Sequence, residues 1–436
     1  MSATAKPTPA DHLPSRGLPL LYLATGLLSL VVALATVAAD PAAMAGFFYH
    51  PRMLAVVHLV TLGWIGGSVL GSIHIVGPLA LRMPLRATWG DYAGFVAFAV
   101  GTLGRVSHFW LDSPRGMVWG AGLATLAFVR AAVRVLPRLV RAPLPSAMKV
   151  PVALAFANIV LAAGLGTLLG LNKVDPFLPV HHLQAIFAHA HLAALGFATL
   201  IVMGAGYRLL PMMLPAAMPT GRGPLLSALL VEAGVLGLVA SFFLDGTGRQ
   251  ASALAAAAGI AVFLFDVVGM LRNPRPAPPE RPRPDLAVAL ALVALAGLAA
   301  TVMLGLALVF LPQLDASSPL AFVYGTVGLL GFLAPMVMAV QQRLLPLAAW
   351  LWAYAGAGYA ETPPSLHAAS GHFLPAVTFV AWIVGVPLVA AGLSLERLGW
   401  LRAGAGLLLV ATLAHGAGLF VTLGRLRISG KTPIFY

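Results

Sequence analysis

A seven-residue phrase occurs twice in this chain, each time inside a long apolar run. The first copy is His58-Leu59-Val60-Thr61-Leu62-Gly63-Trp64, followed by Gly71 and Pro78; the second is His191-Leu192-Ala193-Ala194-Leu195-Gly196-Phe197, followed by Gly204 and Pro211. The offsets agree throughout: 5 residues from His to the first Gly, 13 to the next Gly and 20 to Pro. A third copy keeps Gly331-Phe332 and Pro346 but carries Thr326 at the histidine position. Repetition on this scale constrains architecture before any single residue is interpreted. It also puts two histidines at equivalent places inside apolar segments, which makes both of them ligand candidates.

The 436 residues are 60 % hydrophobic and 9 % charged. So little charge would not cover the surface of a soluble protein of this length, and the chain reads as all-α and integral to a membrane. Its net charge of +13 needs no nucleic-acid partner, because basic residues gather in cytoplasmic loops of membrane proteins. There is no cysteine, which excludes disulfides, thiolate-held metals and iron–sulfur clusters. A bound metal must be held by His, Met, carboxylate, Tyr or backbone oxygen.

A spanning helix takes about 20 mainly apolar residues. The sequence holds about twelve such runs, near 18–38, 53–79, 91–111, 116–136, 149–171, 186–210, 222–244, 250–271, 286–311, 319–346, 373–394 and 399–424. Residues 1–17 read as a polar cytoplasmic tail, 18–426 as a single membrane domain, and 273–285 as a Pro-rich cytoplasmic loop. No short apolar region with a cleavage site precedes the first span, so no signal peptide is expected. Nineteen of the 26 Lys and Arg fall on the side that holds both termini, which predicts cytoplasmic termini in a bacterial-type inner membrane.

The repeated phrase opens spans two, six and ten, so the period is four helices. Repeats of about 18–136, 149–271 and 286–394 with 399–424 predict a pseudo-threefold bundle of three four-helix arcs. That arrangement places His58, His108, His182, His189 and His191 in the outer half, all candidate metal ligands. His58 and His74 stand 16 residues apart, about 24 Å of helix, and cannot share a metal. His189 and His191 point about 200° apart and should face different neighbours. Ionisable groups within a bilayer are costly and point to function, so Glu232 and Asp266, both in apolar runs, are candidate proton-path groups. The bland alternative for each is a hydrogen bond between helices. Arg208 and Arg343 read as interface anchors, and Met203, Met336 and Met338 as packing residues.

Twelve spans in three arcs, with histidines in the outer half of spans two and six, resemble subunit I of the haem-copper oxidase and nitric oxide reductase superfamily. The string His189-Ala190-His191-Leu192 with Leu195-Gly196-Phe197 is similar to one in the NnrS family of haem- and copper-containing membrane proteins. The segment Arg343 to Trp350, with Tyr354, is also similar to stretches of oxidase-like membrane proteins. The resemblance implies b-type haem, with copper as an open second metal, and His58 and His191 as axial ligands with His189 at a copper or second site. It further implies nitric oxide as a gaseous ligand and an electron-donor partner, and leaves homo-oligomerisation open. The chain departs from the oxidases by having no histidine in span ten and no adjacent pair after span seven, so oxygen reduction by their usual route is not expected. His58 and His191 then either share one haem in a cavity the oxidases fill with side chains or bind separate metals. The rival reading is a haem-free, proton-coupled transporter using Glu232, Asp266 and the histidines; a third is an assembly partner that keeps only the fold.

Overall fold

Leu and Ala, which dominate the long apolar runs, lose little side-chain freedom in a helix, and in a computed structural model these runs form twelve long helices among the described residues. The described residues are 13–178, 181–244, 246–277, 283–311, 319–355 and 371–428. The helices are α1 (Gly17–Ala39), α2 (Pro51–Leu79), α3 (Trp89–Trp110), α4 (Pro114–Arg141), α5 (Ser146–Val174), α6 (His182–Met213), α7 (Gly223–Phe243) and α8 (Arg249–Arg272). They continue as α9 (Leu286–Phe310), α10 (Pro319–Tyr354), α11 (Phe373–Ser394) and α12 (Leu398–Ile428). Eleven are long and apolar enough to cross a bilayer; α3, which carries Asp91 and Arg105, falls short by composition. Their outer faces present bare hydrocarbon, with Phe265 74 % and Phe420 78 % exposed, as a lipid-facing surface requires. The chain is a multi-pass membrane protein.

Local chemistry starts and stops the helices. Pro51 and Pro114 occupy first-turn positions where no N–H is needed. Thr88 and Asp91 form a reciprocal capping box at the start of α3, and Asp285 caps α9 by accepting from Val288 N. Of the expected tail, residues 1–12 lie outside the described part, while Pro14 and Arg16 are held against α10: Trp352 Nε1 donates to the Pro14 carbonyl at 2.8 Å and Arg16 donates to the Trp352 carbonyl. Residues 278–282 of the Pro-rich loop also lie outside the described part.

The predicted three arcs are present. Helices α1–α4, α5–α8 and α9–α12 pack in sequence, and the ring closes where α4 meets α5, α8 meets α9 and α12 meets α1. Helices α2, α6 and α10 stand inside, with α10 touching both others. Between these three lies an apolar cavity of about 90 Å³, walled by residues such as Ile73, Val202, Leu209 and Met336.

Each copy of the repeated phrase coincides with a wide π-helical turn. These are Leu59–Gly66, Leu192–Thr199 and Val327–Leu333, led by His58, His191 and Thr326 respectively. Widened turns of this kind displace backbone groups from the ordinary ladder, and buried carbonyls so displaced need other donors. Asn158 Nδ2 donates to the Gly196 carbonyl at 3.1 Å, Thr199 Oγ1 to Ala194 at 2.9 Å and Trp382 Nε1 to Leu330 at 2.8 Å.

The glycine of the phrase lets the preceding helix approach each turn. A Cβ added at Gly63 would lie 2.5 Å from the Ser29 side chain, and one at Gly196 2.8 Å from Asn158. In the third copy the roles reverse, and a Cβ added at Gly297 would lie 2.3 Å from the Gly331 carbonyl. Gly63→Ala should therefore cost about 1–3 kcal/mol by overpacking and lower the melting temperature in detergent. Adding Ser29→Gly should restore most of the loss, and a double variant no more stable than the single one would refute this contact.

Candidate functional site

His58 and His189 each stand seven residues into their helix, about 10 Å along the axis, and so share one depth. Their ring centroids are 6.4 Å apart and their planes differ by 17°. Both imidazoles are held by backbone carbonyls: His58 Nδ1 lies 2.8 Å from Leu54 O, one turn back, and His189 Nδ1 lies 2.8 Å from Ala162 O on α5. A carbonyl can only accept, so each Nδ1 carries the proton and each Nε2 keeps its lone pair. This is the arrangement in which an imidazole binds a metal through Nε2 while its other nitrogen is oriented by an acceptor.

The surrounding helices make a chamber of this pair. Phe109 of α3 lies 4.8 Å from the His58 ring, and Gly166 of α5 leaves room for His189, since a Cβ there would lie 2.9 Å from His189 Cε1. Arg105 of α3 spreads its guanidinium over Phe109 at 5.3 Å and reaches the Gly166 carbonyl at 3.4 Å. Arg105 is 9 % exposed, and its Nε is buried with no hydrogen-bond partner. A buried guanidinium short of acceptors is strongly unfavourable by itself.

Of the residues expected from sequence, His58 and His189 come together and His191 does not join them. His191 turns toward α7, 5.4 Å from the Phe242 ring, with Nδ1 donating to Phe187 O at 2.8 Å. The neighbour of His58 is His189 and not His191, because a rotation that makes His58 and His191 equivalent faces them toward different neighbours. His108 packs on α4, edge-on to Trp119 at 5.6 Å and flat against Gly116. His182 pairs with Tyr49 of the α1–α2 loop at 2.8 Å, where burial pushes the phenol up to about 12 and keeps it neutral. Among the described residues no three His, Asp or Glu side chains assemble as a metal cluster. Glu232 accepts from Asn158 at 2.7 Å, and Asp266 accepts from Tyr207 at 3.0 Å; both join helices within the bundle. Of the two expected anchors, Arg343 pairs with Asp285, and Arg208 reaches Met218 Sδ at 3.3 Å.

Arg105, Phe109 and Gly166 escape a search for repeated histidines. The available signal is Arg105 itself, a cation five residues before the end of α3 with no carboxylate on the adjoining turns. No protein-family model matches the chain, and no curated protein matches it. Arg105→Met should raise the melting temperature of the ligand-free protein, by about 1–4 kcal/mol in stability, because an unpaired buried charge gives way to hydrocarbon. A lower melting temperature would show that the guanidinium is already well satisfied.

Proposed function

We propose that this chain is a membrane b-type haem protein in which His58 and His189 are the two axial ligands of one haem. Their spacing carries the proposal. A metal–imidazole bond is about 2.0–2.1 Å and a ring centroid lies roughly 1.1 Å from Nε2, so imidazoles trans on one ion have centroids about 6.3 Å apart. The observed centroid separation of 6.4 Å is compatible with that value, and the two planes differ by 17°. With no cysteine in the chain, such a haem is held without covalent attachment.

Arg105 supports haem over bare copper. A copper ion on the same two nitrogens would add positive charge beside a guanidinium that already lacks acceptors, whereas haem brings two carboxylates. When bound, haem supplies a one-electron iron couple. The protein's own contribution is to hold both Nε2 lone pairs in place, exclude water with Phe109 and the helix walls, and offset carboxylate charge through Arg105. With both axial positions filled by imidazole, this chamber is suited to electron transfer and not to gas binding. The loop-charge expectation of cytoplasmic termini would put the chamber toward the outer side of the membrane, where an electron-donor partner could reach it. Nitric oxide metabolism remains the process that the NnrS-like string suggests.

The proton-coupled transporter is the second reading, but Glu232 and Asp266 each end in a hydrogen bond between helices. The test is an optical spectrum of the purified full chain, oxidised and reduced, with metal analysis. A Soret band and sharp reduced α-band, without stoichiometric copper, are expected. His58→Ala and His189→Ala should each abolish the six-coordinate spectrum, while Arg105→Met should lower haem occupancy several-fold. A colourless preparation from haem-replete cells would refute the proposal.

A further inference from the structure

The last turns of α4 carry a row of cations. Arg130, Arg134, Arg138 and Arg141 follow one another at i, i+4, i+8 and i+11, so they share roughly 80° of the helix surface. Lys149, near the start of α5, donates to the Val140 carbonyl at 3.0 Å and brings a further cation to the same end. One carboxylate, Asp91 of α3, serves the first two arginines: Arg130 Nη2 lies 3.0 Å from it and Arg134 Nε 3.1 Å. The second half of the row has no such partner. Arg138 donates to the Arg134 carbonyl at 2.7 Å, and neither α4 nor α5 contains an Asp or Glu. Among the described residues no carboxylate pairs with Arg138, Arg141 or Lys149. Like charges one turn apart repel, and an anion laid against them relieves that repulsion.

The position of the row decides which anion. It stands at the end of the bundle that holds the start of α1, because Ser15 Oγ accepts from Ala87 N just ahead of α3 and Arg130 Nε donates to the Gly90 carbonyl. Trp89, next to that glycine, is 90 % exposed, an indole where headgroups meet hydrocarbon. From there toward the middle of the bundle the outward face of α4 is apolar, with Leu126 and Val133 exposed one above the other. Cations at the end of an exposed hydrocarbon stripe match the layering of a phospholipid, a charged head on apolar chains.

We propose that Arg138, Arg141 and Lys149 form a headgroup site for one anionic phospholipid, whose acyl chains lie along Val133 and Leu126. The two guanidinium groups donate charge-assisted hydrogen bonds to the phosphate oxygens, and the ammonium adds a point charge. Asp91 leaves Arg130 and Arg134 occupied, so the site is confined to the unpaired half of the row. A zwitterionic headgroup brings its own ammonium among three cations and is disfavoured, which gives the site its selectivity. The bound lipid fixes the corner between α4 and α5 at the membrane surface. This site stands apart from the His58–His189 pair and is independent of its haem reading.

The test is native mass spectrometry of the full chain, stripped of lipid in detergent and offered phosphatidylglycerol or phosphatidylcholine. Wild type should bind one phosphatidylglycerol about tenfold more tightly than phosphatidylcholine. The triple variant Arg138→Gln, Arg141→Gln, Lys149→Gln should lose that preference. Arg272→Gln, which removes a cation at the end of α8, should keep it. Should the triple variant fail to fold, Arg141→Gln, at an exposed position, should weaken the preference several-fold. Inorganic phosphate in large excess should leave the lipid in place, since it lacks the chains. Equal uptake of the two lipids, a preference that survives the substitutions at the site or falls as much in Arg272→Gln, or displacement by inorganic phosphate overturns the proposal.

Discussion

The close approach of one helix to a glycine in the middle of a π turn governs where the central helices stand. Ser29 against Gly63, Asn158 against Gly196 and Gly297 against Gly331 are the same contact made three times. Each draws a central helix onto the helix before it, and the wide turn sets the rotation of what precedes it. His58, His191 and Thr326 stand immediately ahead of those turns, so their directions follow from backbone packing. The donors that satisfy the turns, among them Asn158 and Trp382, belong to the same scaffold.

Once the three central helices are placed, each space between two of them draws one wall from each. The first space receives His58 from α2 and His189 from α6. His191 of α6 turns instead toward α7 and lies against Phe242. The arginines fit the same logic. Arg105 and Arg249 each lie over a phenyl ring with Nε left unpartnered, an arrangement that costs stability.

Much of this frame is legible in the sequence. The twelve helices, the four-helix period and the opposite facing of His189 and His191 follow from hydropathy, repeat spacing and helical angle. The pairing of His58 with His189 does not, because it depends on the rotation of α6 against α2, which the π turns set. Symmetry nevertheless holds a clue, since equivalent residues of a rotational repeat face successive chambers and never each other. Arg105 is hidden for another reason. Its importance lies in a missing partner, and absence of an acceptor is a property of three-dimensional neighbours. Phe109 and Gly166 are ordinary membrane-helix residues until a ring is laid against them.

The central claim is that His58 and His189 bind one iron with nearly parallel rings. Electron paramagnetic resonance of the oxidised protein tests it most directly, because the angle between axial imidazole planes sets the shape of a low-spin haem signal. The 17° angle predicts a rhombic low-spin signal, lost in His58→Ala and in His189→Ala and retained in His191→Ala. A low-spin signal that survives His189→Ala, or disappears only with His191→Ala, would contradict the account.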